Sequence, residues 1–267
     1  MLIDTHCHLD AAEFAADRDA VVAAARAAGV SAMLIPAVES ANFSAVRACC
    51  QRYAGCFPAY GLHPLYLECA SDADLVILRD WLVSELGGAT PPVALGEIGL
   101  DFHQPGFDVL RQEHFFVEQL KVARDFNLPV LLHVRRAVDQ VLKGLRRVGV
   151  KRGIAHAFNG SRQQADELIR LGFKLGFGGA MTYPGSTRIR QLAATLPIDA
   201  IVLETDAPDI PPCWLAGGRN TPLELPRIAA TLAELRGVSS AQILAATSAN
   251  ALSLLPPSAA AISPEAK

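Results

Sequence analysis

The sequence lacks the features that define several large classes of protein. Its six cysteines include no C-x-x-C pair, and no apolar run approaches the roughly 18 residues of a membrane-spanning helix. Basic residues are not in excess, because Lys and Arg number 24 against 27 Asp and Glu. We therefore expect reduced thiols and no membrane span, and we do not expect a protein that binds polyanions through its whole surface.

The first ten residues, MLIDTHCHLD, also lack the pattern of a secretory leader. Such a leader has a basic start followed by an apolar run, whereas this segment places the polar residues Asp4 and His6 almost at once. A cytoplasmic protein with no membrane association is the expectation. No sequence feature indicates an obligate protein partner.

Aliphatic residues, by contrast, are abundant. The chain has 267 residues, of which 51% are hydrophobic and 19% charged, a composition typical of a globular protein. Its length is close to the roughly 250 residues of one (β/α)₈ barrel. One large domain over residues 1–255 is predicted. The Pro-, Ser- and Ala-rich end, 256–267, predicts a disordered tail.

Short β-prone segments alternate with helix-like segments along the chain. Apolar residues that return every three or four positions predict helices at Arg18–Ala28, Asp74–Leu86, Arg111–Phe126 and Val138–Val148. Eight strands are predicted between the helical segments, at Leu2–His8, Ala32–Val38, Cys56–His63, Val93–Leu100, Leu128–Val134, Gly153–Phe158, Phe173–Gly178 and Ile201–Thr205.

Strands joined by crossover helices run parallel, and eight such units can close into a barrel. The pattern therefore predicts an α/β fold, a single (β/α)₈ TIM barrel with an extra C-terminal helix. An open doubly wound sheet is the alternative.

Histidines and carboxylates stand at the C-terminal ends of the predicted strands. The spacing of two between His6 and His8 places both imidazoles on one strand face, with Cys7 on the other. Later strands end in four further groups of this kind: Glu97, His133, His156 and Asp206. Barrel enzymes build their sites at this rim. Four imidazoles and two carboxylates exceed what one tetrahedral ion needs and indicate two metal ions with a bridging carboxylate.

Six motifs in this order resemble those of the TatD family of metal-dependent hydrolases, within the amidohydrolase-like barrels: D-x-H-x-H, G-L-H-P, G-E-I-G-L-D, H-x-R, H-x-F-x-G and E-T-D-A-P. The resemblance extends from about Met1 to Leu255. Asn159 departs from it, since serine is frequent at that position.

The resemblance implies a divalent-metal-dependent deoxyribonuclease that cleaves DNA phosphodiester bonds, with single-stranded DNA or 3′ ends as substrate. By position, His6, His8 and Asp206 would hold one ion and His133 and His156 the other. Glu97 would bridge the two ions, which could be Zn²⁺, Mg²⁺ or Mn²⁺. None of the lysines lies at a predicted strand end, which disfavours the relatives that use a carboxylated lysine as the bridge.

Roles in catalysis and substrate binding follow from position and charge. Glu97 and Asp206 are the predicted catalytic residues, with Asp206 as general base for a metal-activated water. His63, Arg135 and His103 are predicted to contact substrate, and the guanidinium of Arg135 suits a phosphate.

Two further carboxylates, Glu204 and Asp101, are predicted near the same rim. Glu204 is expected to support a ligand by hydrogen bonding, and Asp101 is expected in a loop on the active face.

Two other functions stay open from the sequence alone. The same activated water could attack an ester or amide, as in an aminoacyl-tRNA deacylase or a cyclic amidase. A binding or scaffold barrel with structural metal ions is the third reading, although a structural site is normally closed to water.

Overall fold

The computed structural model describes residues 1–103, 106 and 108–256. Within them, eight parallel strands form one sheet in chain order: β1 Leu2–Asp4, β2 Val30–Pro36, β3 Cys56–Tyr60, β4 Ala94–Asp101, β5 Val130–Arg135, β6 Gly153–Ala155, β7 Phe173–Phe177 and β8 Ile201–Leu203. This confirms the predicted (β/α)₈ barrel and excludes the open doubly wound sheet.

Helices connect the strands and one more helix follows them. In the described part of the chain they are α1 Arg18–Ala27, α2 Phe43–Arg52, α3 Asp72–Leu86, α4 Val109–Asp125, α5 Val138–Val148, α6 Arg162–Arg170, α7 Thr187–Thr195, α8 Leu225–Arg236 and α9 Ser240–Leu254. The extra C-terminal helix of the prediction is α9. The four helices whose bounds were predicted agree within two residues at each end.

Backbone hydrogen bonds join the last strand to the first. The Thr5 amide donates to the Leu203 carbonyl at 3.1 Å, and the His8 amide donates to the Ala207 carbonyl at 2.8 Å. Between these bonds, Cys7 and Ala207 form a parallel bridge. The chain segments that follow β1 and β8 are therefore side by side at the C-terminal rim.

Side-chain alternation along the strands produces two apolar layers. On β2, Ala32 and Leu34 belong to an inner cluster, whereas Met33 and Ile35 pack in the outer layer with the helices. Leu254 of α9 joins the inner cluster. The C-terminal helix thus contributes to the packing of the barrel interior.

Several strands are shorter than predicted. The predicted ends are His8 for β1, His63 for β3, Phe158 for β6 and Thr205 for β8. In the structure these strands end two to four residues earlier. Beyond these ends the backbone makes single bonds, such as that from the Cys7 amide to the Leu34 carbonyl at 3.1 Å, in place of a continuous ladder.

Gly99 illustrates how closely β4 and β5 approach. A Cβ atom built on Gly99 would lie 1.9 Å from the carbonyl oxygen of His133. Only glycine fits this position, which explains the second glycine of the GEIGLD segment.

Among the described residues, no helix is long and apolar enough to cross a lipid bilayer. The predicted tail, 256–267, lies outside the described residues except for its first residue, Pro256.

Candidate metal centre

The polar groups at the C-terminal rim follow directly on the apolar inner cluster of the barrel. His133 stands two residues after Leu131, and His156 two residues after Ile154, and both of these aliphatic side chains belong to the inner cluster. The period of two along a strand therefore directs both imidazoles inward.

Glu97 lies at the centre of this group. Its carboxylate is almost fully buried, and its two oxygens face different histidines. Oε2 lies 3.1 Å from His6 Nε2 and 3.5 Å from His8 Nε2. Oε1 lies 3.1 Å from His133 Nδ1 and 3.2 Å from His156 Nε2. His63 Nε2 also lies 3.5 Å from Oε1, so this carboxylate faces two imidazoles with Oε2 and three with Oε1.

Asp206 completes the half of the centre that contains His6 and His8. Its Oδ1 lies 3.6 Å from His6 Nε2 and 3.7 Å from His8 Nε2. The Asp206 side chain is 13% exposed, against 3% for Glu97. Asp206 is therefore the more exposed of the two carboxylates, both of which line a cavity at the rim.

The protonation of the histidines reflects this crowding. Burial, helped by the nearby His156, lowers the pKa of His6 to about 3, which leaves the ring neutral. For His8, burial is outweighed by the Glu97 and Asp206 carboxylates, which raise the pKa to about 9. Burial also opposes charge on His156, but Glu97 and Asp206 raise its pKa well above the usual range.

The donor set suits divalent cations. Neutral imidazole is a good ligand for Zn²⁺, and carboxylates also suit Mg²⁺ and Mn²⁺. The Nε2 atoms of His6 and His8 lie 3.3 Å apart, so the pair presents two nitrogens to the same point. Protons that the carboxylates place on the histidines would be released when a cation takes their position. The residues present therefore fit a metal centre.

Asp101 orients His133 from outside this centre. Its Oδ2 lies 2.9 Å from His133 Nε2, which leaves Nδ1 of the same ring towards Glu97. Gln112 accepts from the Asp101 amide at 2.8 Å, and Asp101 Oδ1 accepts from the His103 amide at 2.8 Å.

The expectation that Asp101 lies in a loop is wrong. Asp101 is the buried last residue of β4, because the strand extends one residue further than predicted. The signal was its spacing: Asp101 follows Glu97 by four positions, which places both carboxylates on one strand face.

Glu204 lies behind His156. It is buried, its Oε1 accepts from the Ala157 amide at 2.5 Å, and the same oxygen lies 3.5 Å from His156 Nδ1. Glu204 is thus buried and hydrogen-bonded as expected, but its bond is to the Ala157 amide, and its support of His156 stays a prediction.

Asp4 is a further buried carboxylate, to which the sequence assigned no role beyond being the first residue of the D-x-H-x-H motif. Its two oxygens accept from the amide and the hydroxyl of Thr205, at 2.9 and 2.6 Å. Burial outweighs these bonds and raises the pKa of Asp4 to about 7. Asp4 therefore ties β1 to the segment after β8, directly below the centre.

The three residues predicted to contact substrate, His63, Arg135 and His103, all line a cavity of about 1400 Å³ above the centre. His63 Nδ1 accepts from the Leu65 amide at 3.2 Å, so the neutral ring carries its proton on Nε2, 3.5 Å from Glu97 Oε1. His63 also forms, with Glu97 and His133, one of the groups whose ligand atoms lie close enough together to hold a metal ion.

Known proteins are similar to this chain in sequence and in fold. The family model described as TatD related DNase matches residues 3–256. YjjV of Escherichia coli K12, described as an uncharacterized metal-dependent hydrolase, is 42% identical over 235 residues, 88% of this chain and 90% of its own. The crystal structure of that TatD homolog superposes with a TM-score of 0.90 at 39% identity, covering 95% of this chain and 97% of the other.

A relative with a named activity is similar over an even greater length. The 3′-5′ ssDNA/RNA exonuclease TatD of Cronobacter sakazakii is 36% identical over 260 residues, which is 95% of this chain and 97% of that protein.

A parallel barrel whose C-terminal rim gathers histidines and carboxylates in groups that could hold metal ions, together with these matches, identifies a metal-dependent hydrolase, and this chain is one. It belongs to the TatD family.

Proposed function

We propose that this protein is a divalent-metal-dependent nuclease that hydrolyses DNA phosphodiester bonds at a binuclear centre. The observation that carries the proposal is the division of the histidine nitrogens by the two oxygens of Glu97. His6, His8 and Asp206 would hold one ion, His133 and His156 the other, and Glu97 would bridge them. Divalent ions bound there would lower the pKa of a water and offset the charge of a phosphodiester.

Asp206 is the residue proposed to accept the proton of the attacking water. Both carboxylates line the cavity, but Asp206 is the more exposed, at 13% against 3% for Glu97. As the new P–O bond forms and the bond to the leaving oxygen breaks, the proton passes to the Asp206 carboxylate. The Asp206 carboxyl then gives this proton to the leaving alkoxide, which restores the carboxylate.

His63 and Arg135 are proposed to bind the phosphate. His63 lines the cavity with a ring that carries a hydrogen on Nε2, and Arg135, the exposed last residue of β5, adds positive charge. Hydrogen bonds from charged or correctly oriented donors to phosphate are among the stronger ones in proteins. His103 lines the same cavity and is proposed as a further contact.

A metal-by-substrate screen tests this function. The purified protein, stripped with EDTA and reloaded with Mg²⁺, Mn²⁺ or Zn²⁺, is incubated with end-labelled single-stranded DNA, and we expect shortening that stops when EDTA is added again. The same preparations are given a panel of aminoacyl esters and cyclic amides. Intact DNA with every metal, together with turnover of an ester or amide, would favour a deacylase or amidase instead.

A further inference from the structure

Helix α4 presents two buried glutamines to the ends of neighbouring strands. Gln112 and Gln119 are 2% and 1% exposed, and their spacing of seven residues, about two helical turns, places them on one face of α4. Each side-chain amide binds both backbone groups of a single residue. Gln119 Oε1 accepts from the Leu62 amide at 2.7 Å, and its Nε2 donates to the Leu62 carbonyl at 3.0 Å. Gln112 makes the same two bonds with Asp101, at 2.8 and 3.1 Å.

These bonds take the place of a strand partner. Among the described residues, β3 pairs with β4 no further than Tyr60 opposite Leu95, whereas β5 pairs with β4 as far as Asp101. The end of β4 therefore has a strand on one side only, and Gln112 bonds its backbone on the other. A buried peptide group needs a hydrogen-bonding partner. An apolar side chain of the same length would fill the space but would leave the peptide groups unpaired.

The two anchored residues are connected to two histidines of the rim. Asp101 Oδ2 lies 2.9 Å from His133 Nε2. Leu62 is followed directly by His63. These two histidines face the same oxygen of Glu97, because Oε1 lies 3.1 Å from His133 Nδ1 and 3.5 Å from His63 Nε2. One face of α4 thus holds the backbone behind both of these rings.

We propose that Gln112 and Gln119 are positioning residues, through which α4 sets two separate properties of the site. Gln112 fixes Asp101, and through it the ring of His133, so it supports the affinity for metal. Gln119 fixes the backbone that precedes His63, so it supports the binding of phosphate. The second role rests on the proposed nuclease function, in which His63 contacts the phosphate. The first role requires only that the centre binds a divalent cation.

Apolar substitutions of similar length separate the two roles. Gln112→Met removes both bonds to Asp101, and we expect the affinity for Mn²⁺ to fall by about 3- to 10-fold, because the partner of His133 is no longer held. The KM for single-stranded DNA at saturating Mn²⁺ should stay within about twofold of the wild type. Gln119→Met should do the reverse, with KM raised by about 3- to 10-fold and the affinity for Mn²⁺ unchanged.

A spectroscopic measurement tests the same assignment without catalysis. In ¹⁵N NMR spectra of protein labelled at histidine, Gln112→Met should shift the ring signals of His133, and Gln119→Met those of His63. The His133→Gln and His63→Gln proteins assign the two sets of signals. A loss of packing alone would not direct each substitution to a different ring.

Gln51→Met is the matched control, since it makes the same change at an exposed position of α2 and should behave as the wild type. Should a Met variant fail to fold, Gln112→Glu or Gln119→Glu, which retains an acceptor for the backbone amide, is measured in its place.

Two outcomes would overturn the proposal. In one, both variants change metal affinity and KM alike, as general destabilisation would. In the other, a variant leaves the signals and the property of its own histidine unchanged, which removes the role of that glutamine. Wild-type protein that leaves DNA intact would instead refute the nuclease function, and the metal titration and the spectra would still decide whether Gln112 and Gln119 position the two rings.

Discussion

The Asp206 amide donates a hydrogen bond of 2.8 Å to the carbonyl oxygen of His6. This bond joins the segment after the last strand to the segment after the first, 200 residues earlier in the chain. It brings the Asp206 carboxylate within 3.6 Å of His6 Nε2. Closure of the barrel and assembly of this half of the metal centre are therefore the same event.

Replacing the Glu97 carboxylate should disrupt the metal centre, because its two oxygens face different histidines. Glu97→Gln keeps the size of the side chain but leaves four imidazoles without a shared negative charge, so we expect turnover to fall by at least about 10²-fold. Steady-state hydrolysis and elemental analysis measure the loss of activity and of metal together. Circular dichroism should show a folded barrel, because the core is aliphatic.

Glu234→Gln makes the same chemical change at an exposed site on α8 and should behave as wild type. Wild-type turnover and metal content in Glu97→Gln would contradict the bridging role.

Removing one ligand from each half should separate the two ions. His6→Ala should lower the bound metal by about one ion per chain, and His133→Ala should do the same for the other half. Elemental analysis after gel filtration gives the stoichiometry. A wild-type metal content in both variants would be incompatible with two histidine-bound ions.

Asp101 should act on metal affinity through His133. Asp101→Ala removes the partner of His133 Nε2, so the ring can turn or change tautomer, and we expect metal affinity to fall by roughly 10- to 100-fold. Asp101→Asn retains an acceptor oxygen and should lose less. Metal titration measures the affinity, and ¹⁵N NMR of labelled histidine reports the tautomer. Unaltered affinity and tautomer in Asp101→Ala would show that His133 needs no such partner.

The C-terminal helix should contribute to stability without contributing to the metal centre. Leu254 is buried in the inner cluster, so Leu254→Ala should lower the free energy of unfolding by about 2–4 kcal/mol. Urea denaturation measures this change. Leu252→Ala, at a less buried position of the same helix, should cost less. An equal cost at both positions would argue against the packing of Leu254.

Much of the fold could be predicted from the sequence, because the patterns that indicate helices and strands are local. Alternating β-prone and helical segments are readable from short windows, and the helix Val138–Val148 was predicted to the residue. Strand ends were less accurate. Whether a residue such as His63 continues a strand depends on a hydrogen-bonding partner from elsewhere in the chain, which a window does not contain.

The sequence by itself determined the strand count, the parallel arrangement and the identity of the polar groups at the rim, since each follows from residue type and spacing. The tertiary structure alone decided which atoms meet: that the two oxygens of Glu97 face different histidines, and that Asp101 accepts a hydrogen bond from His133. These relationships join residues tens to hundreds of positions apart, and only closure of the barrel brings them within a few ångströms.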